Sequence, residues 1–140
     1  MKVLIDTNII VDLALERQPF YPESVQVISR VYQKRISGYL SASTISDIYY
    51  IIRKQKGREL TLDFLRRIRT LCQVATVNDA AIDIALNADQ FRDFEDAIQY
   101  GTAIANQLNA IVTRNPQDFP VANSRIITPS QLIEELGNLP

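Results

Sequence analysis

The chain has 140 residues, 46% of them hydrophobic, which is the length of one ordinary domain able to bury a core without metal or disulfide staples. It contains no histidine, which removes Ser-His-Asp and Cys-His nucleophile activation, imidazole acid–base chemistry and the usual zinc sites, and the single Cys72 cannot form an internal disulfide. The net charge is −1, with no charged-then-apolar leader and no run of eighteen apolar residues, so a soluble cytoplasmic protein is expected, with no membrane partner.

In chain order, "KVLID" predicts a strand ending at Asp6, and "TNIIVDLALE" a helix capped by Thr7 or Asn8. Pro19 and Pro22 break the chain, and "ESVQVISRVYQKR" resumes helical spacing through Val25, Ile28 and Val31 or Tyr32. A second strand is expected at residues 38–40. "SASTISDIYYIIRKQKG" then predicts a helix capped near Ser43 and stopped at Gly57, with Ile45, Ile48, Tyr49 and Ile52 inward. Tyr50 and Ile51 fall off that stripe, and such surplus apolar surface is buried either in a homodimer contact or under a neighbouring helix.

Leu60, Phe64, Ile68 and Leu71 mark another helix, "QVATV" a third strand, and residues 79–87 and 93–108 two further helices. The second of these shows a stripe through Phe94, Ala97 or Ile98, Gly101, Ile104 or Ala105, and Leu108. "AIVT" and "RIIT" are the fourth and fifth strands. "TPSQLIEELG" closes the chain as a helix with Thr128 as N-cap, Gln131 completing a capping box and Gly137 past its end. Strands separated by helices require crossover connections, so the expected fold is a single α/β domain over residues 1–140, a three-layer α/β/α sandwich around a mainly parallel sheet of about five strands.

Charge is unevenly placed. Residues 53–69 hold seven basic side chains, among them Arg53, Lys54 and Lys56, against two acids; residues 79–96 hold six acids against Arg92. A solvated helix face explains either run alone, but together they suit a molecule with one region for phosphates and another for cations.

Ligands of open parallel sheets bind at the carboxyl ends of the strands. Asp6 lies at the end of the first strand, Asp47 in the first turn of the helix after the second, and Asp93, Glu95 and Asp96 at the start of a helix; Asn115 and Asp118 follow the fourth strand in "TRNPQDF". Each has an ordinary reading as a helix cap, a dipole partner or a turn former. Several carboxylates on one sheet edge nevertheless repel by several kcal/mol per close pair at an effective dielectric of about 20, so protonation or a cation must relieve them. An all-oxygen donor set favours Mg²⁺ or Mn²⁺ over zinc, and such an ion activates water against a phosphodiester without histidine. Asp96 is the first choice of the three clustered acids, with Asp93 as a second ligand or supporting acid.

Taken together, "LIDTN", "LSASTISDIYY", "DFEDAIQY" and "IVTRNPQDF" resemble the successive motifs of PIN-domain nucleases, most closely the VapC-like group, over nearly the whole chain. The resemblance implies an Mg²⁺- or Mn²⁺-dependent endoribonuclease, commonly the toxin of a toxin–antitoxin pair, with RNA as substrate and a cognate antitoxin as partner. Carried onto this chain, it implies Asp6, Asp47 and Asp96 as the acidic ligands, Thr7 or Asn8 as the polar neighbour of the first, and Asn115 where a fourth acid often stands. Two departures stand out: Asp47 occupies a position that is usually Glu, and Asn115 is uncharged, leaving Asp118 or Asp93 as substitutes. On this reading Asn115 orients water or phosphate, while Arg114 and the basic run hold the RNA backbone.

Rival α/β readings fit less well. A phosphorelay receiver needs a late lysine, whereas the last is Lys56, and a haloacid-dehalogenase-type phosphatase needs an aspartate where Asn8 stands. A solitary PIN nuclease, or a catalytically inactive RNA-binding or scaffold module on the same fold, is the alternative.

Overall fold

A computed structural model describes residues 1–137. The chain runs β1 (Lys2–Ile5), α1 (Thr7–Leu15), α2 (Tyr21–Tyr32), β2 (Ser37–Ser41), a 3-10 turn (Ala42–Thr44), α3 (Ile45–Leu71), β3 (Gln73–Ala75), α4 (Asp79–Leu86), α5 (Phe94–Ala105), β4 (Ala110–Val112), a second 3-10 turn (Pro116–Asp118), β5 (Ile126–Ile127) and α6 (Pro129–Gly137). The strands form one sheet in the order β3-β2-β1-β4-β5, and all four pairings are parallel.

Alternation along the strands explains the three layers. Val3, Ile5, Leu40, Ala110, Val112 and Ile127 point to one face, where α1, α2, α3 and α6 supply Ile9, Ile10, Val27, Ile48, Ile68 and Leu132. Leu4, Ala75 and Ile111 point to the other, where Tyr100 and Ala103 of α5 cover them. Because side chains alternate along a strand, β1 must be apolar at the three buried positions Val3, Leu4 and Ile5 to serve two cores, and only Lys2 at its exposed start is polar. Each fully buried Leu or Ile contributes about 1.5–3 kcal/mol relative to exposure.

Several local details differ from the expectations. Pro22 does not break α2 but sits in its first turn, where a missing N–H costs nothing. The inward residues there are Val27, Ile28 and Val31, with Tyr32 exposed. Gly57, with φ of 79° and ψ of 171°, breaks α3 into two helical arms, as expected of a stop, and the second arm starts at once because the Thr61 hydroxyl donates to the Gly57 carbonyl at 2.6 Å. On α5 the expected stripe holds at Ala97 and Gly101, both buried, but not at its ends: Phe94 and Ile104 are exposed, whereas Gln99, Tyr100, Thr102 and Ala103 join the buried face. Gly101 is where α4 comes closest. A Cβ there would lie 2.2 Å from the Ala81 carbonyl oxygen, so α4 packs backbone-close over that face, and any larger residue would push the helices apart.

Thr128 and Gln131 do form the expected capping box, at 2.9 and 3.2 Å, although Gly137 falls inside α6. Tyr50 and Ile51 stay exposed, so no neighbouring helix covers them. Among the described residues no helix is long and apolar enough to cross a membrane.

Candidate active site

The sheet order places the reversal of winding between β1 and β4, whose carboxyl ends open a crevice. Asp6 lies there, its backbone N–H donating to the Val112 carbonyl at 2.9 Å. It occupies the N-cap position of α1, where Thr7 or Asn8 had been expected, yet its side chain makes no capping bond. Its carboxylate is held instead by two neutral donors, Gln99 Nε2 on Oδ1 at 2.9 Å and Thr113 Oγ1 on Oδ2 at 2.8 Å. Asp6 is 4% exposed and has no cationic partner among the described residues.

The three acids at the start of α5 have three different partners. Asp93 is the N-cap, and its Oδ1 accepts from the backbone N–H of Glu95 at 2.8 Å and of Asp96 at 3.2 Å. Glu95 meets Asp47 of α3; burial, the Asp47 charge and a hydrogen bond between the two carboxyls push it above the usual carboxylate range. Asp96 is half-buried and raised from 3.8 to about 7, first by burial, then by the charges of Asp6, Asp93, Asp118 and Glu95. Four like charges from three segments therefore bear on one carboxyl.

These acids share a cavity of about 430 Å³ that includes Asp6, Asp47, Asp93, Glu95, Asp96 and Asp118 in its wall. Thr7 and Asn8 also line it, as does Lys54, the basic side chain that α3 brings to its wall. Arg53 and Lys56 are exposed on the same arm but stand outside it. Asn115 is half-buried and not in the wall; its backbone N–H donates to Thr113 Oγ1 at 3.0 Å, the same hydroxyl that holds Asp6. Arg114 faces elsewhere. Its Nε donates to Asp12 Oδ2 at 2.8 Å, and its guanidinium lies 4.0 Å over the Phe20 ring.

The donor set suits a hard divalent cation. Every candidate ligand is an oxygen, repulsion at Asp96 is what an added positive charge would relieve, and the buried Gln99 Oε1 has no hydrogen-bond partner. Among the described residues no group of three or more acids is placed to hold a metal ion as the side chains stand. A cation here would need carboxylates to turn toward it and would keep part of its water shell, as Mg²⁺ does.

Sequence reasoning missed Gln99 and Thr113. Both left a faint signal: a lone glutamine in the small, apolar run of α5, three residues past Asp96, and a hydroxyl ending "AIVT". It also ranked Glu95 below its neighbours, although Glu95 is the group that meets Asp47.

A PIN domain family model matches residues 2–117. Ribonuclease VapC1 of Aquifex aeolicus (strain VF5) is 24% identical over 142 aligned residues, covering 99% of this chain and 97% of that protein. Among solved structures, VapBC2 from Rickettsia felis bound to a DNA fragment from its promoter is similar with a TM-score of 0.72 at 16% identity, over 91% of this chain and 98% of the matched one. A toxin–antitoxin complex from Klebsiella pneumoniae has a TM-score of 0.69 at 21% identity, over 91% and 97%.

Proposed function

The chain belongs to the PIN domain family, and from that premise we propose that it is a divalent-metal-dependent endoribonuclease, one PIN-like domain acting in the cytoplasm as the toxin of a VapBC-type pair. The observation that carries this reading is the meeting of Asp6 and Asp96, ninety positions apart, in a cavity where neither has a cationic partner among the described residues and the first raises the second. The printed names of its relatives, a ribonuclease and toxin–antitoxin complexes, support the substrate and the partner.

Asp6 and Asp96 are the residues to hold Mg²⁺ or Mn²⁺, with Asp47 and Glu95 beside them and Asp118 and Asp93 as supporting acids. Bound there, the ion supplies Lewis acidity toward the phosphodiester and neutralises the phosphate charge that these carboxylates would otherwise repel. The chain's own groups do the rest. Gln99 and Thr113 fix the Asp6 carboxylate so that its remaining lone pairs face the cavity. Burial and the neighbouring Asp47 charge raise Glu95, and this carboxyl pair is the group to take a proton from attacking water. Lys54 offers the RNA backbone a positive contact at the cavity wall, and Arg53 and Lys56 extend it along α3 without reading sequence. Asn115, expected to orient water or phosphate, stands outside the cavity wall, and its backbone N–H steadies the Thr113 hydroxyl. The exposed Tyr50 and Ile51 supply the apolar surface of a homodimer contact.

The test is cleavage of labelled RNA by purified protein with Mn²⁺ and then with EDTA. Cleavage should vanish in EDTA and in Asp96→Asn, whose circular dichroism stays that of the wild type. Undiminished cleavage by Asp96→Asn would defeat the assignment.

A further inference from the structure

The acid-lined cavity does not end at Asp96. It shares Asp93, Asp96 and Asp118 with a neighbouring cavity of about 570 Å³, which in turn shares Gln90 and Pro120 with a third of about 690 Å³. The three form one groove between the loop that joins α4 to α5 and the loop after β4. Its chemistry changes along the way. The middle cavity carries Arg92, exposed and without an ion pair among the described residues, and so suits a phosphate. The third has no cation in its wall.

What the third cavity offers is amides on an apolar wall, with Asp83 as its one charged residue. The Asn87 Nδ2 group donates to the Asp83 carbonyl at 2.8 Å, which leaves its Oδ1 to accept. The Tyr100 hydroxyl donates to Asn123 Oδ1 at 3.0 Å, which leaves the Asn123 NH₂ to donate. Gln90, exposed, can do both. Tyr100 is itself held by Phe91, whose ring lies 5.3 Å away, and Phe91 by Phe119 at 5.9 Å, so this end of the groove rests on packed aromatics. Neutral, planar ligands with donor and acceptor edges match the amides and the apolar wall, and with Asp83 present and no cation an anionic group does not. Asp96 and Tyr100 stand one turn apart on α5, about 6 Å along the axis.

We propose that this third cavity binds a nucleobase flanking the cleaved phosphodiester and gives the enzyme its base preference. The proposal rests on the endoribonuclease reading above. Single-stranded RNA is recognised in this way, through splayed bases held at their hydrogen-bonding edges. Arg92 holds the phosphate between the base pocket and the acids, while Asn87, Gln90 and Asn123 read the base edge.

The experiment uses a pool of single-stranded RNA oligonucleotides of randomised sequence, cleaved in Mn²⁺ and sequenced at the new ends. Wild-type protein should show a base bias at a position beside the cut. Gln90→Ala should reduce the bias there by about 5- to 10-fold, the scale of one base-edge contact, while biases elsewhere persist. Ala122→Trp, at an exposed position in the cavity wall, should remove it by filling the space. Cleavage without any bias, or with the same bias in both variants, overturns the base pocket and leaves the nuclease standing. No cleavage by the wild type removes the nuclease reading, and the pocket with it.

Discussion

Two buried aspartates, six residues apart at the start of the chain, meet opposite fates. Asp12, fully buried in α1, is neutralised by Arg114 at 2.8 Å with Arg17 at 3.9 Å, and the Arg114 guanidinium rests on Phe20. Asp6, equally sequestered, receives only neutral donors and faces further acids. A fold that can place arginine beside one carboxylate and leaves the other with neutral partners keeps a net negative charge at the second, where a cation is the missing complement. The contrast also corrects the place expected for Arg114: its charge is paired with Asp12, and Lys54 is the basic side chain in the wall of the acid cavity.

Exchanging the two charges for amides should separate the roles most sharply. Asp6→Asn should lower RNA cleavage by at least about 100-fold, the scale of losing a preorganised electrostatic group, while urea denaturation stays within about 1 kcal/mol of wild type. Asp12→Asn should do the reverse, costing about 3 kcal/mol of stability because Arg114 is left buried without its counter-charge. Equal stability losses at both sites would erase the distinction.

A milder probe acts on the donors that hold Asp6. Thr113→Val removes the hydroxyl that bonds Oδ2 without changing the side chain's shape, and Mn²⁺ affinity read by calorimetry should fall by about 10-fold. Unaltered affinity would mean that the Asp6 carboxylate needs no such fixing.

The smallest effect is on stability against pH in metal-free buffer. A carboxyl raised in the folded state favours its protonated form, so the folded protein loses stability as pH climbs from the unfolded value near 3.8 to about 7 and is flat beyond. Asp96 is half-exposed, so after discounting for solvent screening the loss is on the order of 1 kcal/mol. Asp96→Asn should flatten the melting profile over that window, and an unchanged slope in the variant would assign the pH dependence elsewhere.

Much of this was legible in the sequence, for a physical reason. Strand-then-helix punctuation puts Asp6, Asp47 and Asn115 near strand ends whatever their partners, and a parallel sheet has one carboxyl edge, so the acids gather without any knowledge of contacts. The cap at Asp93 and the break at Gly57 are likewise local. What stayed hidden depends on pairs distant in sequence. Arg114 looked like a phosphate contact because its true partner, Asp12, is 102 residues away in the chain. Gln99 and Thr113 act on Asp6 across 93 and 107 positions. The centre of the α5 stripe at Ala97 and Gly101 was legible, but hydrophobicity also favoured Phe94 and Ile104, which are exposed, over the polar Gln99 and Thr102, which are buried.

The central claim is that Asp6 and Asp96 hold a divalent cation which the rest of the fold leaves them to bind. A crystal soaked in Mn²⁺ and measured for anomalous scattering should show a peak between those two carboxylates and none at Asp12. An empty crevice at Asp6 and Asp96, or carboxylates turned away from a Mn²⁺ bound elsewhere, would contradict it.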